Sequence, residues 1–375
     1  MGKTGWMRYW WLVVIILCGC GPAREQKLSE FGQQFAHAIN QNQPEKAVAE
    51  LDFERYFARV TKDSRLSEPE LAALKKRYGQ AWRRGGGILE STRGEVWRLV
   101  KVELPNQLLF RVQRVDGTLD YRRALVSDTD EGPRIVDLYV FRSGAWQAET
   151  ASQLLGVLGS DDSFEQRRLR EILEQFYRLL QEGRYADVVA AYNELPAELR
   201  EQKPVLIAYV TSASTLEPEV HQKAVERFAS LFPEDPAVAL LAYDEALARG
   251  RGEEALAAVE ALRKQVGFDD AYLDYLRAEC AALREQPDVV RTCLEKCVAA
   301  EPDTEFFHWA LLERLEREGK FTEVSKRLAA LETLYPDHAA LVEAMEMMHR
   351  LEDFRASEAG VKWLSVQKKS PGEPG

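Results

Sequence analysis

The chain has 375 residues, a length that suits two or three domains at about 100–200 residues each. Its hydrophobic fraction of 46% excludes an intrinsically disordered protein. The net charge of −11 argues against a nucleic-acid binder, because such a protein needs a basic surface to displace counterions from phosphates. The only conspicuous apolar run lies at the N-terminus, so the sequence also excludes a polytopic membrane protein.

The first residues have the pattern of an export signal. Lys3 and Arg8 make the start of the chain positively charged, and Trp10–Leu17 is a run of eight apolar residues. Since a membrane-spanning helix needs about 20 apolar residues, this run is too short to span a bilayer. Its length and position are typical of the hydrophobic segment of a signal peptide.

A short motif follows the apolar run. Leu17-Cys18-Gly19-Cys20 resembles the lipobox of bacterial lipoproteins, although Cys18 departs from the residues usual at its position. The resemblance implies that residues 1–20 are a lipoprotein signal peptide and that Cys20 is the lipidated residue. It further implies attachment to the bacterial outer membrane, facing the periplasm, and Gly21 fits that sorting pattern. An ordinary cleaved signal peptide and a short membrane anchor are the alternatives.

Residues 21–154 are predicted to form an α+β domain. One helix is indicated by apolar residues at helical spacing, a second stretch covers residues 45–60, and a third helix begins at the capping box of Ser67 and Glu70. Beyond residue 95 the apolar pattern acquires a period of two residues. Strands are expected at 96–103, 108–115, 119–126 and 134–141. Helices followed by an antiparallel meander are typical of the α+β class.

The order of these elements resembles the nuclear-transport-factor-2-like fold, and a cystatin-like sheet around one helix fits nearly as well. The first resemblance implies a pocket inside a curved sheet, which would bind a small molecule or support enzymatic chemistry. Asp137, Tyr121 and Tyr139 are the candidates for such a role. The alternative is that they are solvent-facing or hydrogen-bonded strand residues. Arg83-Arg84, beside three glycines, would bind an anion or form a solvated loop.

Residues 155–163 have the composition of a linker, and residues 164–365 contain a helical repeat. Four aspartates lie 34 residues apart, at positions 235, 269, 303 and 337. This period resembles that of the tetratricopeptide (TPR) repeat. The residues of one unit also resemble the TPR pattern, and these residues are Gly319, Phe321, Val324, Leu328, Leu331 and Pro336. The resemblance implies a solenoid of about six stacked helix pairs, the last degenerate. Residues 366–375 are predicted to be a disordered tail.

In such a solenoid the first helix of each unit lines a concave wall. Two positions of these helices supply candidate peptide-groove residues: Leu173, Tyr177, Tyr209, Leu240, Asp244, Tyr275, Glu279, Trp309 and Glu313. Residues 151–375 carry 27 Lys and Arg against 42 Asp and Glu, a net charge of −15. Aromatic rings among carboxylates favour peptide segments that carry basic residues. The alternative is an acidic face whose role is solubility.

Motifs for catalysis and metal binding do not emerge from the sequence. The five histidines are scattered, and the spacing of a metal site, a nucleophile elbow or a phosphate-binding loop is not found. We therefore predict no catalytic residue, no metal and no cofactor. Cys280, Cys293 and Cys297 are expected either to be buried as small apolar residues or to form one disulfide from Cys280.

These observations together predict a non-catalytic, membrane-anchored TPR lipoprotein. Its partners would be envelope proteins or peptide segments and the membrane itself, but not nucleic acid. It would act as a scaffold or adaptor for protein interactions in the bacterial envelope. One alternative is a ligand-binding or enzymatic N-terminal domain with the solenoid as an adaptor. Another is a structural role in which the solenoid packs on the N-terminal domain and covers its own groove.

Overall fold

A computed structural model of the chain describes residues 21–62, 64, 66–83, 94–114, 118–155 and 164–366. The predicted signal peptide with Cys20, the Arg84 loop, most of the predicted linker and nearly all of the predicted tail lie outside these ranges. The chain divides into two compact units between Leu241 and Ala242.

The described part of the first unit begins with four helices: α1 (Gly21–Asn40), α2 (Pro44–Ala49), α3 (Phe53–Val60) and α4 (Glu68–Arg83). The predicted first and third helices are confirmed, and the Ser67 backbone N–H donates to Glu70 Oε2 at 2.8 Å, as a capping box requires. The predicted second stretch is interrupted between Ala49 and Phe53. The interruption arises because the Asp52 N–H donates to the Ile135 carbonyl at 2.8 Å and ties this segment to the sheet.

Five antiparallel strands follow, each paired with the next in the chain: β1 (Val96–Glu103), β2 (Gln107–Gln113), β3 (Leu119–Thr129), β4 (Gly132–Val140) and β5 (Ala145–Trp146). Register shifts interrupt the β1–β2 ladder at Leu99 and the β3–β4 ladder at Leu125. This meander after the helices confirms the α+β class of the N-terminal region. Helix α5 (Gln147–Leu155) closes it.

Large side chains fill the space between these helices and the sheet. Phe35 of α1 packs against Trp97 and Phe110, with ring centroids 5.9 and 5.8 Å apart. Between α3 and α4, the Trp82 ring packs against the rings of Phe53 and Tyr56, with centroids 5.3 and 5.0 Å apart. Most of these rings are buried, and together they supply the apolar surface that stabilises this region.

The rest of the described chain is helical, which confirms a helical C-terminal region. The first unit contains α6 (Phe164–Gln181), α7 (Tyr185–Glu194), α8 (Ala197–Arg200), α9 (Lys203–Ala213), α10 (Pro218–Leu231) and the start of α11 (Ala237–Ala248). The second unit continues with α12 (Gly252–Val266), α13 (Ala271–Leu283), α14 (Pro287–Ala300), α15 (Glu305–Arg317), α16 (Phe321–Glu332), α17 (His338–Met347), α18 (Glu352–Ala356) and α19 (Glu358–Val366). Within the described ranges, no helix has the length and apolarity that crossing a bilayer requires.

Tight turns connect successive helices of this region. Gly183, Gly250 and Gly319 each follow a helix with φ of +69°, a left-handed conformation that glycine adopts without steric cost. The turn before α14 lacks a glycine, and there Glu285 takes φ of +54° while Pro287 begins the next helix. From α12 to α16, each helix packs against the next one in the chain.

The α+β region contacts the first helices within the same unit. The Lys203 ammonium of α9 donates to the Gly144 carbonyl at 2.6 Å and lies 2.5 Å from a carboxylate oxygen of Asp235. Gly144 has φ of +59°, and a Cβ at this position would overlap the Asp235 carboxylate. The β4–β5 turn is therefore fixed against the helical segment by one hydrogen bond from Lys203 and one close approach of Gly144 to Asp235.

Candidate functional site

The structure distributes the nine predicted groove residues over both compact units. Four of them lie in the first unit. Tyr177 is 60% exposed, whereas Leu173 and Tyr209 are buried and Leu240 has no exposed surface. The Tyr209 ring stacks on Tyr192. Of these four, only Tyr177 presents a large surface to solvent.

The other five predicted residues lie in the second unit, where the structure brings them together on α11, α13 and α15. At their centre, the Glu279 carboxylate accepts hydrogen bonds from the hydroxyls of Tyr243 at 2.6 Å and Tyr275 at 3.2 Å. We call Tyr243, Tyr275 and Glu279 the Tyr–Glu cluster. Tyr275 and Glu279 are four residues apart in α13, a spacing that places two side chains on one helix face.

Burial dominates the electrostatics of the Tyr–Glu cluster. It raises the pKa of Glu279, while the two tyrosine hydrogen bonds act in the opposite direction and the nearby Asp244 charge adds to the rise. Burial and then the Glu279 charge raise the pKa of Tyr243 and of Tyr275, so both phenols remain protonated donors. Among the described residues, no Lys or Arg forms an ion pair with Glu279.

A second group lies on α15 and the turn after α17, and we call Glu305, Trp309, Glu313 and Arg350 the Trp–Arg cluster. The Trp309 indole N–H donates to Glu305 Oε1 at 2.6 Å. The Arg350 guanidinium donates to Glu313 Oε1 at 2.7 Å, and its Cζ lies 5.1 Å from the centroid of the Trp309 ring. The protein thus holds one of its own arginines between a carboxylate and an aromatic face.

The two clusters are neighbours. The Tyr275 ring meets the Phe306 ring of α15 edge-on at 4.7 Å, and the Glu313 charge acts on the Tyr275 hydroxyl. Trp309 is only 2% exposed and belongs to the core, whereas Asp244, Tyr275, Glu279 and Glu313 are half-buried. The groups open to a ligand are therefore carboxylates and the edges of phenol rings.

Sequence reasoning missed three members of this face: Tyr243, Phe306 and Arg350. A signal for Tyr243 was present, because it lies 34 residues after Tyr209, the same period that indicates the repeat. For Arg350 no such signal exists. It lies in an irregular turn where His349 and Leu351 have φ of +49° and +54°, so helical spacing does not predict its direction.

The three candidates for a ligand pocket in the α+β region are Asp137, Tyr121 and Tyr139, and each contacts other residues of that region. Asp137 is fully buried, and its carboxylate accepts hydrogen bonds from Arg59 Nε at 2.9 Å and from the backbone N–H groups of Leu138 and Ala148 at 2.9 and 3.1 Å. Burial raises its pKa, and these bonds oppose the rise. The carboxylate therefore joins α3, β4 and α5. Tyr121 is buried beside Phe141, and Tyr139 packs against Trp146.

The three cysteines of the second unit are buried as free thiols, which fits the first of the two states expected for them. Burial raises the pKa of Cys280 to about 12 and also raises that of Cys293. The Cys297 thiol donates to the Ala271 carbonyl at 3.2 Å. In the part of the chain that the structure describes, no three His, Cys, Asp or Glu side chains converge as metal ligands.

No model of a known protein family matches this chain, and no curated protein is similar to it at a significant level. The functional argument therefore rests on the residues and their geometry.

Proposed function

We propose that this protein is a membrane-anchored, non-catalytic scaffold that binds basic peptide segments of envelope proteins through the Tyr–Glu cluster. The observation that carries the proposal is the set of groups around the Glu279 carboxylate. Its half-buried carboxylate has two phenolic donors but no cationic partner among the described residues. Burial raises the pKa of this carboxylate, and a partner's Lys or Arg beside it would favour its charged form and form an ion pair with it.

The expected gain is a charge-assisted hydrogen bond. Such bonds contribute about 1.5–3 kcal/mol, more than neutral ones, because the surroundings are less polar than water. The neighbouring aromatic rings would cover the aliphatic part of the incoming side chain. Arg350, held by Glu313 and Trp309, shows that this face already accommodates a guanidinium.

The scaffold part of the proposal rests on the helical region. Successive helices joined by tight turns, each packing on the next, together with aspartates 34 residues apart, are compatible with what a TPR-like solenoid requires. Each unit leaves an apolar face that its neighbour must cover, so a series of units offers an extended surface. The net charge of −15 over residues 151–375 would attract a basic partner before contact.

The anchor part of the proposal rests on the sequence around Cys20. Each lipid CH₂ inserted into a bilayer contributes about 0.8 kcal/mol, so several acyl chains on one cysteine would hold the protein firmly. We expect Cys20→Ser to move the protein from the membrane fraction to the soluble fraction of lysed cells. Undiminished membrane retention of that variant would refute lipidation at Cys20.

The binding part is tested by crosslinking in intact cells, followed by purification of this protein and identification of what remains attached. We expect Glu279→Gln to lose partners that the wild type retains, since the amide keeps the size of the side chain but removes its charge. Glu343→Gln is the matched control, because Glu343 is an exposed carboxylate of α17. Identical partner sets for wild type and Glu279→Gln would refute the assignment.

A further inference from the structure

A pocket lies in the first compact unit, among α7, α8, α9 and α10. Its volume is about 290 Å³, and five side chains line it: Tyr192, Arg200, Tyr209, Lys223 and Arg227. Three of the five are cationic and none is acidic. This composition is unusual in a helical region whose net charge is strongly negative.

The three cations are incompletely neutralised. Arg227 Nη2 lies 2.5 Å from Glu201 Oε1 at the surface, where both side chains are nearly half exposed. Within the described ranges, Arg200 and Lys223 form no ion pair with a carboxylate. The pocket therefore has two cationic side chains that no carboxylate of the described residues pairs with.

The two tyrosines form the floor of this arrangement. Their rings stack face to face, with centroids 3.9 Å apart and planes 4° apart. The Tyr192 hydroxyl donates to the Arg200 carbonyl at 3.3 Å. Tyr209 is buried, with 8% of its surface exposed, and its hydroxyl forms no hydrogen bond to the described residues. Because Tyr209 lines the pocket, its hydroxyl is available to donate to a ligand there.

We propose that this pocket binds a small phosphate monoester. The two cationic side chains of Arg200 and Lys223 match the charge of a phosphoryl group, which is between about −1.5 and −2 at neutral pH. Arginine offers paired donors to phosphate oxygens, and lysine offers a point charge. The Tyr209 hydroxyl supplies a further donor, and the volume admits a phosphoryl group with a small organic body but excludes a folded peptide segment.

Calorimetric titration of the full chain tests this proposal, with phenyl phosphate, inorganic phosphate and the neutral control phenol at constant ionic strength. We expect phenyl phosphate to bind and phenol not to bind. Lys223→Gln and Tyr209→Phe should each weaken binding by about tenfold, the effect of losing one hydrogen bond to a charged group. Lys46→Gln removes an equal charge from an exposed site outside the pocket and should leave the affinity unchanged.

Glu201→Gln gives an outcome that a damaged fold does not imitate. Because it releases Arg227 from its carboxylate, we expect phenyl phosphate to bind several-fold more tightly. If inorganic phosphate binds as tightly as phenyl phosphate, all recognition lies in the phosphoryl group, and free phosphate is supported as the ligand. Absence of phenyl phosphate binding, or equal weakening by Lys223→Gln and Lys46→Gln, would overturn the proposal.

Discussion

Glu318 provides the sharpest test of the energetics of the second unit. It directly follows α15, and its carboxylate lies 2.8 Å from each of three cationic groups: Arg291 of α14, Arg314 of α15 and Lys320 directly before α16. Burial by itself raises the pKa of Glu318, but the hydrogen bonds from these three partners outweigh it and lower the pKa from 4.5 to about 2. One carboxylate thus connects two helices and a turn.

The size of this stabilisation follows from the pKa. One pKa unit corresponds to about 1.4 kcal/mol, so the fall from 4.5 to about 2 sets an upper limit of roughly 3.4 kcal/mol. The three partners have side chains 20–33% exposed, and screening by water reduces the expected value to about 2 kcal/mol. Because the pKa is lowered in the folded state, this contribution is complete above pH about 5 and is lost as the pH falls toward 2.

Urea unfolding followed by circular dichroism measures this contribution. At pH 7 we expect Glu318→Gln to lower the free energy of unfolding by about 2 kcal/mol, and at pH near 2 we expect wild type and variant to converge. Glu295→Gln is the control, because Glu295 forms a single exposed pair with Arg327 and should cost less than about 1 kcal/mol. Equal effects of the two substitutions, or a Glu318 effect independent of pH, would refute the reasoning.

Three further predictions concern stability and thiol chemistry. Gly144→Ala should destabilise the first unit by about 2 kcal/mol more than Gly183→Ala in thermal unfolding, since only the former forces a Cβ against the Asp235 carboxylate; equal effects would contradict this. Asp137→Ala should cost about 3 kcal/mol in urea unfolding, because it leaves the Arg59 guanidinium and two backbone donors without their acceptor, and a loss below 1 kcal/mol would argue against that role. Iodoacetamide at pH 8 should label the three buried thiols, Cys280, Cys293 and Cys297, slowly in the native protein and rapidly in urea, as read by mass spectrometry. Fast labelling of the native protein would show that these thiols are accessible.

The class of each region could be predicted from the sequence because local patterns determine it. Helical and strand periods identified four of the five strands of the meander and the long helices, and the 34-residue spacing identified the turns at Gly250 and Gly319. The break between α2 and α3 was not predicted. It depends on a bridge between Leu51 and Ile135, residues far apart in the chain, and no local pattern reports such a contact.

The candidate site shows the same division. Asp244, Glu279 and Glu313 recur near the repeat period, so their common location on one face could be anticipated. The spacing of residues does not show how deeply each side chain is buried. It therefore did not distinguish Tyr275, which is half-buried, from Trp309, which lies in the core. Nor did it indicate that Arg350 would pair with Glu313, since that pairing depends on how an irregular turn returns toward α15.

The central claim is that Glu279 makes the second unit a receptor for cationic side chains. The most direct measurement is the fluorescence anisotropy of labelled 15-residue peptides, titrated with the full chain. The peptides carry Arg and Lys on one face of an amphipathic helix, and a matched set carries Glu at those positions. The account predicts binding of the basic set alone, weakened about tenfold by Glu279→Gln and little changed by Glu343→Gln. Equal affinity for both sets, or an unchanged affinity in Glu279→Gln, would contradict it.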